Sequence, residues 1–257
     1  GKPVTEQVGQ FLPKYTTQHT DKMYQYAINM LFAGTHNIKR QITISRNGNH
    51  LAFNPDSLKL TDNKNLVEAK ILNNTTAYIK INDALGNNNI IEEFDKAIDS
   101  ILQYKNLVID LTQTPSGGNS TVARCIMGRF IRKTLHYQQH EFDEKQFDTK
   151  RKWVEYVTPR KAQFEGKVFV LVGHWTGSMG EGIAIGLDGF KRAKIIGTEM
   201  AGLLGAINSF MKKKKKIGFQ IPTERLYHIN GTPREKYIPT ILTQNIEETL
   251  KKMYEIK

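Results

Sequence analysis

Apolar residues recur along this chain with two different periods, and their alternation predicts an α/β protein. Apolar runs typical of strands occur at 67–72, 77–81, 107–111, 168–172 and 193–197. Apolar residues spaced for one face of a helix lie at 90–102, 122–131 and 179–190. Strands that alternate with helices in this way predict a layered α/β core.

The first 60 residues follow a different pattern. They predict an amphipathic helix at 19–32 and a hairpin at 40–53, which turns at Asn47-Gly48. Asn-Gly is the dipeptide that two-residue hairpin turns favour. One helix and one hairpin make a poor core by themselves, so we expect this segment to depend on further sequence.

Three further segments complete the pattern. The segment 206–229 predicts antiparallel strands, and 246–256 predicts a last helix. The segment 136–165 is polar and without a clear period, so it predicts an irregular excursion on the surface.

Composition excludes some classes of function. The 257 residues carry a formal net charge of +12, part of it in the run Lys212–Lys216. Proteins that bind single-stranded DNA or RNA interleave aromatic residues with their basic residues. No aromatic residues are interleaved with these lysines, so no nucleic-acid partner is expected. No apolar stretch reaches the roughly 20 residues of a membrane span. One cysteine, Cys125, allows no intrachain disulfide, and no spacing typical of a metal or cofactor site occurs, so neither is expected.

Two glycine-containing turns share one design. Each follows a buried strand and precedes a helix: one contains Gly117-Gly118, and the other contains Ser178. Ligands of open α/β sheets bind at the carboxyl ends of the strands. Acyl transfer at such a place needs a nucleophile, here Ser178, and backbone N–H groups directed at the developing oxyanion. Met179 N–H, which has no partner inside its helix, and Gly118 or Gly117 N–H are the candidates for this oxyanion hole.

The same serine also has a structural interpretation. Serine is a favoured N-cap, and Ser178 with Glu181 three residues later has the pattern of a capping box. Thr176 stands where the nucleophile elbow of lipases has a glycine. Spacing alone therefore leaves both interpretations open.

Several motifs in register resemble those of the C-terminal-processing (tail-specific) serine peptidases, which include the tricorn core and the interphotoreceptor retinoid-binding protein modules. The motifs that carry the resemblance are Leu107-Val-Ile-Asp-Leu with Pro115-Ser-Gly-Gly-Asn119, Thr176-Gly-Ser-Met-Gly-Glu181, Ala193-Lys-Ile-Ile-Gly-Thr-Glu199 with Ala201-Gly202, and Asn230-Gly-Thr-Pro-Arg-Glu235. The resemblance implies a crotonase-like or ClpP-like layered core over residues 66–257, with a C-terminal antiparallel portion. It implies the C-terminal part of a PDZ-like module at 1–60.

The resemblance also assigns roles to residues. Ser178 matches the nucleophile, Met179 and Gly118 match the oxyanion hole, and Glu235 matches a catalytic glutamate of the tricorn-like branch. The tail-specific branch has a lysine base where this chain has Leu203. In the tricorn-like branch a histidine base precedes the PDZ-like module, so we expect it to lie before Gly1.

The histidines within the chain offer weaker candidates for the base. His174 lies four residues before Ser178 and is expected to line the site or pack beside it, as is Glu181. His174 and His228 are the two histidines considered as substitutes for the base. The others, including His140, are interpreted as surface or loop residues.

The resulting hypothesis is a serine endopeptidase that needs no cofactor and acts on proteins or peptides, particularly on C-terminal regions. Without its histidine this chain is expected to show weak or no proteolysis. The resemblance also implies an exported, bacterial protein. Two alternatives stay open: an inactive peptide- or ligand-binding protein of the same fold, and an acyl-CoA enzyme that uses the two N–H groups but needs no serine.

Overall fold

The computed structural model describes residues 2–35, 37–58, 65–115, 118–212 and 216–256. The chain forms two compact units, Gly1–Asp62 and Asn63–Lys257. None of the helices in the described residues is both long enough and apolar enough to cross a membrane.

The first unit contains the predicted helix and hairpin. Its elements are α1 (Val4–Gln7), α2 (Asp21–Ala33), β1 (Ile42–Arg46) and β2 (Asn49–Phe53). The Thr20 side chain caps α2 by accepting a hydrogen bond from the N–H of Met23. Asn47 and Gly48 turn the antiparallel hairpin, with φ angles of 51° and 79°. Ala27 is the one buried residue among the described residues of this unit, as expected for so few elements.

The second unit is a mixed α/β structure. Its elements in chain order are β3 (Val67–Asn73), β4 (Thr76–Ile81), α3 (Asn89–Asp99), β5 (Asn106–Asp110), α4 (Ser120–Met127), β6 (Leu135–Glu144), β7 (Thr149–Val157), β8 (Lys167–Val172), α5 (Met179–Gly189), β9 (Ala193–Gly197), β10 (Gly205–Lys212), β11 (Ile217–His228), β12 (Ile241–Leu242) and α6 (Ile246–Tyr254). The predicted alternation of strands and helices is therefore confirmed.

A largely parallel sheet forms the centre of this unit. Among the described residues it has six strands in the order β12-β9-β8-β5-β4-β3, and all neighbours are parallel except β3 and β4. Successive side chains of a strand point to opposite faces, so each strand contributes to two cores. On one face Ile109 and Val170 pack with residues of α3, α4 and α5. On the other face Val108 and Leu171 pack with Met253 of α6.

A second sheet replaces the surface excursion that we predicted for 136–165. It is antiparallel, and in the described residues its order is β10-β11-β6-β7. The prediction failed because the strand β6 carries polar residues even where it is buried: Gln138, His140 and Glu141 are at most 7% exposed. The prediction of antiparallel strands at 206–229 is confirmed, while residues 213–215 of the lysine run lie outside the described residues.

A buried carboxylate joins α3 to the segment that follows β7. Asp95 is 4% exposed and forms ion pairs of 2.7–2.8 Å with Arg129, Arg160 and Lys161. Burial raises the pKa of Asp95, but the hydrogen bonds from the three cations outweigh it and lower the pKa to about 2.

Candidate active site

The loop between β8 and α5 is held to the end of the neighbouring strand. The Thr176 hydroxyl donates to the carbonyl of Leu111 at 2.7 Å and accepts from the N–H of Gly173 at 2.9 Å. Gly177 N–H donates to the carbonyl of Thr114 at 3.2 Å. These bonds fix the loop next to Leu111 and Thr114, as expected for two loops at the carboxyl ends of adjacent parallel strands.

Ser178 adopts a strained backbone conformation at the start of α5. Its φ of 53° and ψ of −112° lie in a region that residues with a side chain rarely adopt. Such a conformation costs on the order of 1–3 kcal/mol and is concentrated at functional sites. A plain N-cap takes extended backbone angles instead, so capping alone does not explain this geometry.

Glu181 provides the strong half of the capping box. Its carboxylate accepts from the N–H of Ser178 at 2.8 Å. The reciprocal contact, between the Ser178 hydroxyl and the N–H of Glu181, is present but lacks the geometry of a full hydrogen bond. The hydroxyl thus faces the N–H of Glu181 without a full hydrogen bond, and Ser178 is only partly buried.

The same carboxylate also reaches a second loop. Glu181 is fully buried and accepts from the N–H groups of Gly202 and Leu203 at 3.0 and 3.2 Å. A guanidinium nitrogen of Arg234 lies 3.7 Å away and donates to the carbonyl of Leu203 at 3.1 Å. Burial raises the pKa of Glu181, and the Arg234 charge and the three N–H groups lower it in part. Glu181 thus connects the serine turn, the 202–203 loop and Arg234.

The two proposed oxyanion-hole residues lie side by side. A Cβ on Gly118 would come within 2.7 Å of the Cβ atoms of both Met179 and Leu85. Among the described residues, no acceptor bonds the N–H of Met179 or of Gly118. Gly117 lies outside the described residues. Only a glycine fits at 118, as the close approach of two loops demands.

Ser178, Met179 and Gly118 open on one cavity of about 790 Å³, which we call the Ser178 cavity. Its wall includes the apolar side chains of Leu203 and Leu204. Further polar residues on the wall are Ser120, Gln138, His140, Glu155, Gln220, Glu224 and Arg234. In the described residues, no group of three His, Cys, Asp or Glu side chains is arranged to hold a metal ion.

Glu235 lies outside this wall. It lines a neighbouring pocket of about 430 Å³, which shares Leu204, Pro222 and Glu224 with the Ser178 cavity. Its carbonyl oxygen lies 3.6 Å from the position a Cβ on Gly202 would take. The structure therefore places Glu235 on the neighbouring pocket and not on the wall of the Ser178 cavity.

The two histidines considered as substitutes for the base also lie elsewhere. His174 is exposed, packs edge-on against Trp175 and does not line the cavity. His228 is buried away from the cavity wall: its Nδ1 accepts from the N–H of Asn230 at 3.1 Å and its Nε2 lies 3.3 Å from Asp188. Neither position supports a role at Ser178.

His140 is the residue that sequence reasoning missed. It is 7% exposed and not a surface residue, and it lines the Ser178 cavity. Its partner Glu224 follows it by 84 residues in the sequence, so no local motif joins them. The local sequence offered no clear signal, because polar residues occupy both even and odd positions of 136–144 and so show no strand period.

A comparison with protein families agrees with this geometry. Residues 75–243 match the model of peptidase family S41. The chain belongs to this family. The resemblance to the C-terminal-processing peptidases is thereby confirmed, whereas the crotonase-like or ClpP-like layering and the PDZ-like remnant stay predictions. No curated protein matches the sequence at a significant level.

Solved structures share the fold of this S41 chain at low identity. Mature CPAF complexed with lactacystin has a TM-score of 0.71 at 12% identity, and the match covers 99% of this chain and 74% of that one. The photosystem II D1 C-terminal processing protease has a TM-score of 0.59 at 15% identity, with 82% and 56% covered. A lipoprotein from Streptococcus agalactiae has a TM-score of 0.54 at 19% identity, with 74% and 68% covered. The chain thus spans 56–74% of the length of these proteins.

Proposed function

We propose that this S41 chain is a serine endopeptidase in which Ser178 attacks the peptide carbonyl. The observation that carries the proposal is the strained serine turn, which opens on the Ser178 cavity beside the N–H of Met179 and the closely packed Gly118. Family membership supports a hydrolase that acts on peptide bonds.

The chemistry follows from this arrangement. Ser178 Oγ bonds to the carbonyl carbon and loses its proton to a general base. The carbonyl oxygen becomes an oxyanion, which accepts hydrogen bonds from the N–H groups of Met179 and Gly118. Each such donor contributes about 3 kcal/mol in the transition state. The C–N bond then breaks, the amine leaves with the proton, and water hydrolyses the acyl-enzyme by the same steps in reverse.

Glu235 has an indirect role in this proposal. Because its side chain lines the neighbouring pocket while its backbone packs near Gly202, it positions the 202–204 segment of the cavity wall. The family resemblance further suggests that the enzyme acts on C-terminal regions of proteins and is exported. The lipoprotein among the structural neighbours supports export, and the D1 processing protease supports C-terminal action.

The resemblance also leads us to propose that residues 1–60 are the C-terminal part of a PDZ-like module and 66–257 the peptidase core. A PDZ-like module binds extended peptides at a sheet edge. Fluorescence anisotropy with a labelled peptide that ends in a free carboxylate tests this part. The same peptide with an amidated end is the control, and equal binding of the two contradicts recognition of a C-terminus.

Labelling with a fluorophosphonate tests the nucleophile. The 257-residue chain and a version extended at its amino end are treated with the probe, and the modified residue is mapped by mass spectrometry. We expect the adduct on Ser178, its loss in Ser178→Ala, and unchanged labelling in Ser100→Ala, which alters an exposed serine at the end of α3. Absence of labelling at Ser178 in both proteins would contradict the peptidase function.

One observation favours a second candidate, a binding protein without catalysis. Leu203 and Leu204 give the cavity wall an apolar segment where the tail-specific branch has its lysine. A binder would take up peptides in this cavity without reaction. Unlabelled Ser178 together with saturable peptide binding by calorimetry would favour this candidate over the peptidase.

A further inference from the structure

The strands β10 and β11 extend beyond the rest of the antiparallel sheet as a two-stranded arm. The pairing of β11 with β6 covers Glu224–His228, so the outer part of β11 pairs with β10 alone among the described residues. We call residues 207–212 and 216–222 the arm. Each of these residues is exposed, so the arm carries no core of its own.

One face of the arm is apolar. Residues that lie opposite each other on paired strands point to the same face. The opposite pairs on this face are Asn208 with Ile221, Phe210 with Phe219 and Lys212 with Ile217. We call the surface formed by Phe210, Ile217, Phe219 and Ile221 the arm face.

The two phenylalanines form the centre of the arm face. Their rings are stacked, with 5.4 Å between the centroids and 17° between the planes. Phe210 is 41% exposed and Phe219 is 51% exposed. Contiguous apolar side chains on the surface of a soluble protein mark a place where a partner or a membrane binds.

The opposite face of the arm belongs to the Ser178 cavity. Successive side chains of a strand point to opposite faces, and Ile207, Gln220 and Pro222 line the cavity wall. The residues of the arm face are not on the part of this wall formed by β10 and β11. The cavity therefore does not account for the apolar side chains on the other side.

The tip of the arm is basic. Lys212 ends β10 and Lys216 precedes β11, and both are exposed. The sequence between them consists of three further lysines, which lie outside the described residues. No Asp or Glu occurs in the sequence from Gly205 to Thr223. The apolar arm face thus lies beside positive charge that no acidic residue of the same hairpin offsets.

A partner of this surface must accept apolar side chains and carry negative charge. An anionic bilayer does both, because its headgroups attract clustered lysines and apolar side chains enter the boundary between headgroups and acyl chains. A second copy of this chain is less complementary. It carries the same lysines and the same formal net charge of +12, so the charges of two copies repel each other.

From this arrangement we infer that the arm face, together with Lys212 and Lys216, binds the surface of anionic membranes. The phenylalanines and isoleucines enter the headgroup region, and the lysines contact the lipid phosphates. The chain lies on the bilayer and does not cross it. Because the Ser178 cavity is on the other face of the same arm, membrane binding places that cavity close to the lipid surface. The inference goes beyond the proposed peptidase function and does not depend on it.

Sedimentation of the 257-residue chain with lipid vesicles tests the inference. One set of vesicles contains equal parts of phosphatidylcholine and phosphatidylglycerol, and the other contains phosphatidylcholine alone. We expect binding to the first set and much weaker binding to the second. Each lysine near an anionic surface contributes roughly a fivefold factor in affinity, so Lys212→Ala with Lys216→Ala should weaken binding to the anionic vesicles by about 25-fold.

A second variant tests the arm face itself. Phe210→Ser with Phe219→Ser removes the stacked rings, and we expect binding to fall by at least about 10-fold, because each half-exposed ring transfers only part of its apolar surface to lipid. Circular dichroism and Tm establish that each variant is folded.

Matched controls alter the same residue types elsewhere. Lys133→Ala with Lys194→Ala removes the same two charges from other exposed positions, and Phe147→Ser alters an exposed phenylalanine between β6 and β7. Both controls should bind as the unmodified chain does.

Three results would overturn the inference. The first is the absence of binding to the anionic vesicles. The second is full binding by folded Phe210→Ser with Phe219→Ser, which would show that net charge alone attracts the chain. The third is a dimer of the lipid-free chain in analytical ultracentrifugation that the same two substitutions convert to a monomer, which would assign the arm face to a second copy. None of these results bears on Ser178, whose labelling tests the peptidase function separately.

Discussion

Gly118→Ala is the substitution that most directly tests the oxyanion hole. The new Cβ would lie 2.7 Å from the Cβ atoms of Met179 and Leu85, whereas ordinary contacts begin near 3.4 Å. Neither neighbouring atom is the end of a flexible side chain, so the 118 backbone must move by several tenths of an ångström. The N–H of Gly118 moves with it, away from the position that the oxyanion occupies.

The expected effect can be stated for rate and stability separately. Loss of one oxyanion-hole donor lowers kcat by about 10²–10³-fold, or roughly 3–4 kcal/mol. KM should change little, because the donor acts mainly in the transition state. Overpacking lowers the free energy of unfolding by about 1–3 kcal/mol, which leaves a protein of ordinary stability folded.

Steady-state hydrolysis of a fluorogenic peptide and the rate of fluorophosphonate labelling both measure the effect on rate. Tm measures the effect on stability and tests whether the variant is folded. Gly9→Ala is the matched control, because a Cβ there meets no atom within 4 Å. A folded Gly118→Ala protein that retains kcat within threefold of the unmodified chain would refute the assignment of Gly118 to the oxyanion hole.

Three further predictions concern stability. Ser178→Gly should abolish labelling. It should also raise the free energy of unfolding by about 1 kcal/mol relative to Ser178→Ala, because glycine adopts a φ of 53° without strain. Denaturant unfolding measures the difference, and equal stability of the two variants would contradict backbone strain at this position. Glu181→Gln must direct an NH₂ group at backbone donors and leaves Arg234 without its charge partner. We therefore expect the free energy of unfolding to fall by about 3 kcal/mol, the Tm to fall by about 6–12 °C and labelling to slow. The control Glu92→Gln alters an exposed carboxylate and should leave all three unchanged. Asp95 has its pKa lowered to about 2 from 3.8, so its ionised form stabilises the fold by about 2.5 kcal/mol above pH 4. This contribution is lost as the pH falls toward 2. The acid unfolding curve of Asp95→Asn should lack this part of the transition, and a curve like that of the unmodified chain would contradict the role of Asp95.

The elements that could be predicted from the sequence are those with a plain apolar period. The strands β5, β8 and β9 are buried on both faces and appear as continuous apolar runs. The turn around Ser178 was predictable because its serine and glycines are local in the sequence. The strand β6 was not, because one of its faces packs on a polar cavity, and polar residues there carry no apolar signal. The partnership of His140 with Glu224 depends on the pairing of β6 with β11, which a single sequence does not reveal.

Glu181 has a consequence for how this protein tolerates variation. One carboxylate holds the turn of Ser178, the backbone of Gly202 and Leu203 and the charge of Arg234. A substitution at any of these three places therefore changes which residues are tolerated at the other two. In laboratory evolution, replacements at 181 and 234 should therefore arise as linked pairs, and loop grafts that take residues 202–203 from another peptidase should succeed only when both partners are transferred with them.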